Sequence, residues 1–242
     1  MARVERLIAG SMTAPAGIWR AGDDLERPLS FPVPVYVIES GADRILIDTG
    51  LHPEAAADPA GRYDGAESLA FFALEQEASV AEQIELEAVT MVVLTHLHFD
   101  HAGGLGLIPE SVPVVVQRAE WAAGRDEEAI ARNFYFPRDF AGREPVLVDG
   151  DHDLLGDGSV ILLSTPGHTP GHQSVRVGEL VIGADVAYFA SGFDDHRFPP
   201  YGDDHAAQRR SAERLRALRD SGATLIPGHD PEVIRPGPVA AG

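Results

Sequence analysis

The chain has no cysteine among its 242 residues. Disulfides and thiolate ligands are therefore both excluded, and any metal site must be built from histidine and carboxylate. It also lacks a run of about 18 apolar residues, the length a membrane-spanning helix needs. Basic residues are scarce, with 19 Lys and Arg against 38 Asp and Glu and a formal net charge of −19. Nucleic acid is a poor partner for such a chain, because phosphate binding needs a basic footprint. The acidic surplus by itself favours solubility. There is no Pro/Gly/Ser-rich linker, no low-complexity block and no repeat of fixed period. The length suffices for one sizeable core, so residues 1–242 are read as a single α/β domain with a disordered tail over 236–242. Near the N-terminus Arg3 and Arg6 are offset by Glu5, and the apolar stretch 7–19 is broken, which makes a poor secretory signal. The expected location is cytoplasmic, with no membrane partner. Monomer and homodimer both remain open.

Histidine is present in quantity and in pattern. Thr95-His96-Leu97-His98-Phe99-Asp100-His101 follows the apolar run Met91-Val92-Val93-Leu94. Alternation along an extended segment puts His96 and His98 on one side. A turn can then bring Asp100 and His101 round to the same point. These are ligand types that Zn²⁺, Mn²⁺ or Fe²⁺ accept, and the spacing lets one loop serve two neighbouring ions. A solvated His-rich turn or a lone structural zinc is the rival reading.

Three distant stretches repeat the same grammar of a short hydrophobic strand followed by a polar ligand type beside glycine. They are Pro166-Gly167-His168-Thr169-Pro170-Gly171-His172 after 160–163, Gly183-Ala184-Asp185 after 180–182, and Pro227-Gly228-His229-Asp230 after 223–225. In a layered α/β domain the strand ends of a sheet converge on one edge, where sites are built. A coarse reading places strands at 33–38, 44–48, 90–94, 112–117, 146–148, 160–164, 174–177, 180–182 and 224–226. Helices are expected at 66–77, 80–86, 119–124 and 206–221. The last shows Ala212, Leu215 and Leu218 at helical spacing among arginines. Strands alternating with helices imply mixed sheets with helices outside.

The sequence HLHFDH, then PGHTPGH, GAD and PGHD resembles the metallo-β-lactamase superfamily of binuclear metallohydrolases. Within it the chain is most similar to the quorum-quenching N-acyl-homoserine lactonases. Phe99 inside the ligand loop, the phrase Pro170-Gly171-His172-Gln173-Ser174, and Tyr188 three residues beyond Asp185 carry that likeness. It runs from about Phe31 to about Glu232. The resemblance implies a four-layer αβ/βα sandwich of two mixed β-sheets flanked by helices. It implies two divalent metal ions, Zn²⁺ first with Fe²⁺, Mn²⁺ or Co²⁺ as alternatives. His96, His98 and His168 are the implied ligands of one ion; Asp100, His101 and His229 those of the other; Asp185 is the implied bridge.

The implied reaction opens the ring of an N-acyl-homoserine lactone by attack of a hydroxide shared between the ions. Asp100 is the expected proton shuttle, and the Tyr188 hydroxyl is expected on the carbonyl oxygen. Two divalent ions with two carboxylates and a hydroxide leave a positive centre, which suits a developing oxyanion. Asp48 and His172 are expected behind the ligands, Asp48 orienting a ligand histidine with an Asx-type turn as its rival. His172 also competes with His168 for the ligand position. Phe99, with Tyr188, is expected to flank the substrate. Phe71, Phe72, Phe134, Tyr135, Phe136, Phe189 and Phe193 are read mostly as core, and 190–201 as a mobile rim. His52, His152, His196 and His205 are read as surface residues. Rival chemistries on the same site are another lactonase or esterase, such as a pyridoxic-acid lactonase, and a glyoxalase II-like thioesterase. The short stretch after His229 leaves no room for the helical substrate domain of the last. A metal-binding protein without turnover is the non-enzymatic rival.

Overall fold

A computed structural model describes residues 2–64 and 67–240. Its strands, in chain order, are β1 (Arg3–Pro15), β2 (Pro28–Ser40), β3 (Asp43–Ile47), β4 (Ala73–Glu75), β5 (Met91–Val93), β6 (Val114–Gln117) and β7 (Val146–Val148). They continue as β8 (His152–Asp153), β9 (Val160–Ser164), β10 (Gln173–Val177), β11 (Leu180–Ile182), β12 (Thr224–Ile226) and β13 (Gly237–Val239). The first sheet runs β13-β1-β2-β3-β5-β6-β7, with β4 also on β1; the second runs β12-β11-β10-β9-β8. Both are mixed. Strands β3, β5, β6 and β7 are parallel and β1–β2–β3 antiparallel, whereas in the second sheet only β11 and β12 run parallel.

Period-two alternation sorts the side chains into layers. Tyr36, Ile38, Ile45, Ile47, Val93 and Val115 turn inward and meet Leu162, Val175, Val177, Leu180, Ile182 and Ile226 of the second sheet. Their neighbours Val35, Val37, Leu46, Val92, Val114 and Val116 turn outward and pack under Val80, Trp121 and Ala129 of the covering helices. On the far side, Leu163 and Val181 meet Ala212 and Leu215 of the helix His205–Asp220. That helix starts where the Asp204 carboxylate accepts the N–H groups of Ala206 and Ala207. The result is the expected sandwich, helix–sheet–sheet–helix.

Three expectations change. In place of a helix over 66–77 there is a 3₁₀ turn, Glu67–Leu69, followed by β4 (Ala66 lies outside the described residues). Leu69 and Phe72 drop into an aromatic cluster with Trp19 and Phe31, and Ala73–Glu75 pairs with β1, so tertiary packing and edge pairing override helix propensity. The helix expected over 80–86 ends early, at Gln83, because Ile84 is extended. The segment read as a disordered tail contributes β13, whose Gly237, Pro238 and Val239 pair with Arg6, Glu5 and Val4. Long β1 itself, broken by a register shift between Ile8 and Ser11, is absent from the sequence reading. No helix among the described residues is long and apolar enough to cross a membrane.

Candidate metal centre

The C-terminal ends of β3, β5, β9, β11 and β12 open onto one edge of the sandwich. Asp48 follows β3, residues 95–101 follow β5, 165–172 follow β9, Asp185 follows β11 and His229 follows β12. The four strand ends singled out in the sequence thus converge. His96, His98 and His168 form one buried group within ligand distance of one another, and Asp100, His101, Asp185 and His229 form a second. Asp185 stands between them. Its Oδ2 lies 3.6 Å from His96 Nε2 and 3.3 Å from His168 Nε2 on one side, and 3.4 Å from His101 Nε2 on the other. Its Oδ1 lies 3.1 Å from His229 Nε2. Asp100 Oδ2 approaches His101 Nε2 at 3.4 Å and His229 Nε2 at 3.6 Å.

Backbone groups and neighbouring side chains set which ring nitrogen each histidine offers. The Nδ1–H of His101 donates to Asp48 Oδ2 at 2.8 Å and that of His229 to the Pro32 carbonyl at 2.8 Å. His96 Nδ1 faces Thr95 Oγ1 at 3.1 Å, and that hydroxyl donates to Asp48 Oδ2. Each of the three is left with Nε2 turned to the centre. His172 behaves differently: its Nδ1–H donates to the Thr165 carbonyl at 3.1 Å and its Nε2 accepts the Asp185 N–H at 3.1 Å. Both nitrogens are used, so His168 faces the centre and His172 holds the Asp185 backbone.

Most of the atoms aimed inward have no hydrogen-bond partner. His96 Nε2, His101 Nε2, His229 Nε2 and both oxygens of Asp185 are buried and unsatisfied, while His168 Nε2 and His98 Nδ1 meet each other at 3.1 Å. So many orphaned polar atoms in one place are costly unless something binds them. Burial pushes His98 and His168 down to about 3, against the opposing pull of Asp185, and takes His96 well below its ordinary value. Those rings are neutral, with lone pairs to offer. Burial works the same way on His101, but Asp185, Asp100 and Asp48 outweigh it and hold the ring well above its ordinary value; Asp185 raises His229 likewise. Burial would raise Asp185, yet His229 and His101 hold it well below the usual carboxylate range. The potential that draws protons to this half draws cations equally. The donor set is nitrogen and carboxylate oxygen without sulfur, which suits borderline divalent ions, and the residues fit a pair of them.

Other residues hold the loops in register, and of these Glu120 and Gln208 were not singled out from sequence. Glu120, fully buried, accepts the Leu97 N–H on Oε1 and the Gly171 N–H on Oε2, both at 2.9 Å, and so ties the two histidine loops together. It lies in a helix of six residues, Arg118–Ala123, too short for spacing to mark which side faces in. Gln173 donates to the Leu94 carbonyl, and Gln208 reaches the carbonyls of Asp185 and Val186. Gly228 has no room for a side chain, since a Cβ there would fall 2.5 Å from Asp185 Oδ1.

Above the centre sits the aromatic cluster. The Tyr188 ring is 4.9 Å from His229 and 5.7 Å from His168, and Phe31 lies 4.6 Å from His229. Phe99 is buried against Tyr63, Phe72, Phe134 and Phe136. Phe72, Tyr135 and Phe193 are buried, but Phe71 is 62% exposed and departs from the core expectation. Residues 192–195 of the expected rim form a short helix. His152 and His205 are exposed; His196 is half-buried, as is His52, whose Nδ1 accepts the Glu54 N–H at a helix start.

An αβ/βα sandwich with two adjoining His/Asp clusters on its sheet edge defines a metal-dependent hydrolase. The chain belongs to the metallo-beta-lactamase superfamily, whose family model matches residues 30–229. Among curated relatives it is 30% identical over 220 residues to N-acyl homoserine lactonase AttM of Azorhizobium caulinodans, covering 83% of this chain and 82% of that one. It is 30% identical over 217 residues to N-acyl homoserine lactonase AiiA of Bacillus thuringiensis subsp. kurstaki, covering 84% and 83%. Among solved structures it resembles an N-acyl homoserine lactone hydrolase with the product N-hexanoyl-L-homoserine at its catalytic metal center. The TM-score is 0.80, the identity 26%, and the match covers 95% of this chain and 94% of that one.

Proposed function

We propose that this chain opens the lactone ring of N-acyl-homoserine lactones, with its residues acting as one hydrolase unit around a pair of divalent ions. The observation that carries this is the position of Asp185, whose two unsatisfied oxygens face nitrogens of both ligand groups. The lactonases similar to this chain supply the substrate class. His96, His98 and His168 would hold one ion, Asp100, His101 and His229 the other, and Asp185 both. Zinc is the proposed resident ion, given the preponderance of imidazole. Such a pair supplies Lewis acidity and brings the pKa of a bound water down to about 7.

The residues do the rest. Opening the ring adds water to the carbonyl carbon and breaks the ester C–O bond. One proton must leave the water and one must reach the alkoxide. Asp100 is the base proposed to take the first and return the second, since its carboxylate edges the centre. The Tyr188 O–H is proposed to donate to the carbonyl oxygen as negative charge grows there. Trp19, Phe31, Phe72 and Phe99 form a buried apolar cluster beside the centre, which is proposed to exclude water and to flank the acyl chain.

The test is ring opening of N-hexanoyl and N-decanoyl homoserine lactone by the zinc-loaded chain, with and without chelator. Turnover abolished by chelator is expected. Turnover of thioesters with none of either lactone would reverse the assignment.

A further inference from the structure

Tyr201 was not among the expected site residues, yet it is built into the site. Its hydroxyl lies 3.0 Å from that of Tyr188, its ring 6.5 Å from His168 and edge-on to Phe134 at 5.1 Å. The backbone on its C-terminal side is pinned to a ligand loop, because the Asp203 N–H donates to the His168 carbonyl at 3.1 Å and the Asp204 N–H to the Gly167 carbonyl at 2.9 Å. On its N-terminal side His205 Nε2 donates to the Pro199 carbonyl at 3.0 Å and closes the turn. Tyr201 is therefore registered against the same loop that presents His168. Among the described residues, neither tyrosine hydroxyl has another hydrogen-bond partner.

A phenol carries one proton and accepts through its oxygen. In a pair of hydroxyls one must donate to the other. Tyr188 is the nearer to the centre, with its ring against both His229 and His168. A carbonyl oxygen arriving beside it can only accept, so it claims the Tyr188 proton, and the Tyr188 oxygen is then free to accept from Tyr201. Donation into that oxygen polarises the Tyr188 O–H and makes it the stronger donor. We propose that Tyr201 is a positioning residue whose hydroxyl donates to Tyr188 and aims the single Tyr188 proton at the lactone carbonyl oxygen. This rests on the lactone-opening reading above.

The test is a double-mutant cycle with Tyr188→Phe, Tyr201→Phe and the pair, using the zinc-loaded full chain and N-hexanoyl homoserine lactone. The single Tyr201→Phe change is expected to lower kcat about 3- to 10-fold, the worth of one neutral hydrogen bond, with KM and zinc content unchanged. Placed on Tyr188→Phe, it is expected to cost nothing further. A Tyr201→Phe enzyme with wild-type kcat, or a loss equally large in the Tyr188→Phe background, overturns the inference alone. No ring opening by the wild-type chain overturns the underlying reading and this one with it.

Discussion

Asp48 Oδ2 accepts the Nδ1–H of His101 at 2.8 Å, from a backbone held at φ 60°. A left-handed aspartate is uncommon, and here the contacts justify it. The Asp48 N–H donates to Val93, and its carboxylate also accepts the N–H and hydroxyl of Thr95, so one side chain fixes both His101 and the start of the histidine loop. Replacing Asp48 with Ala should weaken metal binding about 10- to 100-fold, as loss of a ligand-orienting partner does. Competition against a chelator of known affinity measures it, and unchanged affinity would remove Asp48 from the account.

Glu120 predicts a stability effect. Glu120→Ala would leave the Leu97 and Gly171 N–H groups buried without acceptors, at about 1–3 kcal/mol each. Glu120→Gln keeps one acceptor and should cost less. Urea unfolding of the two variants should rank wild type above Gln above Ala.

Gly228 offers a local test in which every proposed ligand residue is retained. In Gly228→Ala the new methyl meets Asp185 Oδ1 and must displace it. A shift of about 1 Å at a reacting centre can cost about 100-fold in rate. Turnover should therefore fall by at least tenfold, on the order that misplacement causes, and the melting temperature should drop as well, because the Ala184 carbonyl 2.9 Å from that Cβ must also give way.

Asp139 predicts a pH effect away from the centre. Burial pushes its carboxyl up to about 6, although Arg62 at 2.7 Å and the Tyr63 hydroxyl at 2.9 Å pull the other way. The folded chain then holds that proton more tightly than the unfolded chain does. The stability it contributes is full below the ordinary value of 3.8 and is lost as pH rises through about 6. Relative to Asp139→Asn, the wild type should lose about 2 kcal/mol between pH of about 4 and about 7. Parallel stability curves for the two would contradict this.

The candidate ligand set was legible because its members follow short apolar strands, with His168 and His229 directly after glycine, and a strand end needs little context to be placed. The layered fold was legible for the same reason, since buried strands such as 91–93 and 180–182 announce themselves by continuous apolar runs. The rest depended on contacts distant in sequence. Strand β1 mixes polar and apolar residues and becomes a strand by pairing with β2, β4 and β13. Glu120 and Gln208 matter through backbone groups of loops far along the chain, and Tyr201 through one hydroxyl contact. Nothing in their immediate neighbours marks them.

Anomalous diffraction at the zinc edge, from crystals of the zinc-loaded chain, tests the central claim most directly. Two peaks per chain are predicted, one against His96, His98 and His168 and one against Asp100, His101 and His229, with Asp185 touching both. A single peak, or zinc bound elsewhere while these side chains stay empty, would contradict it.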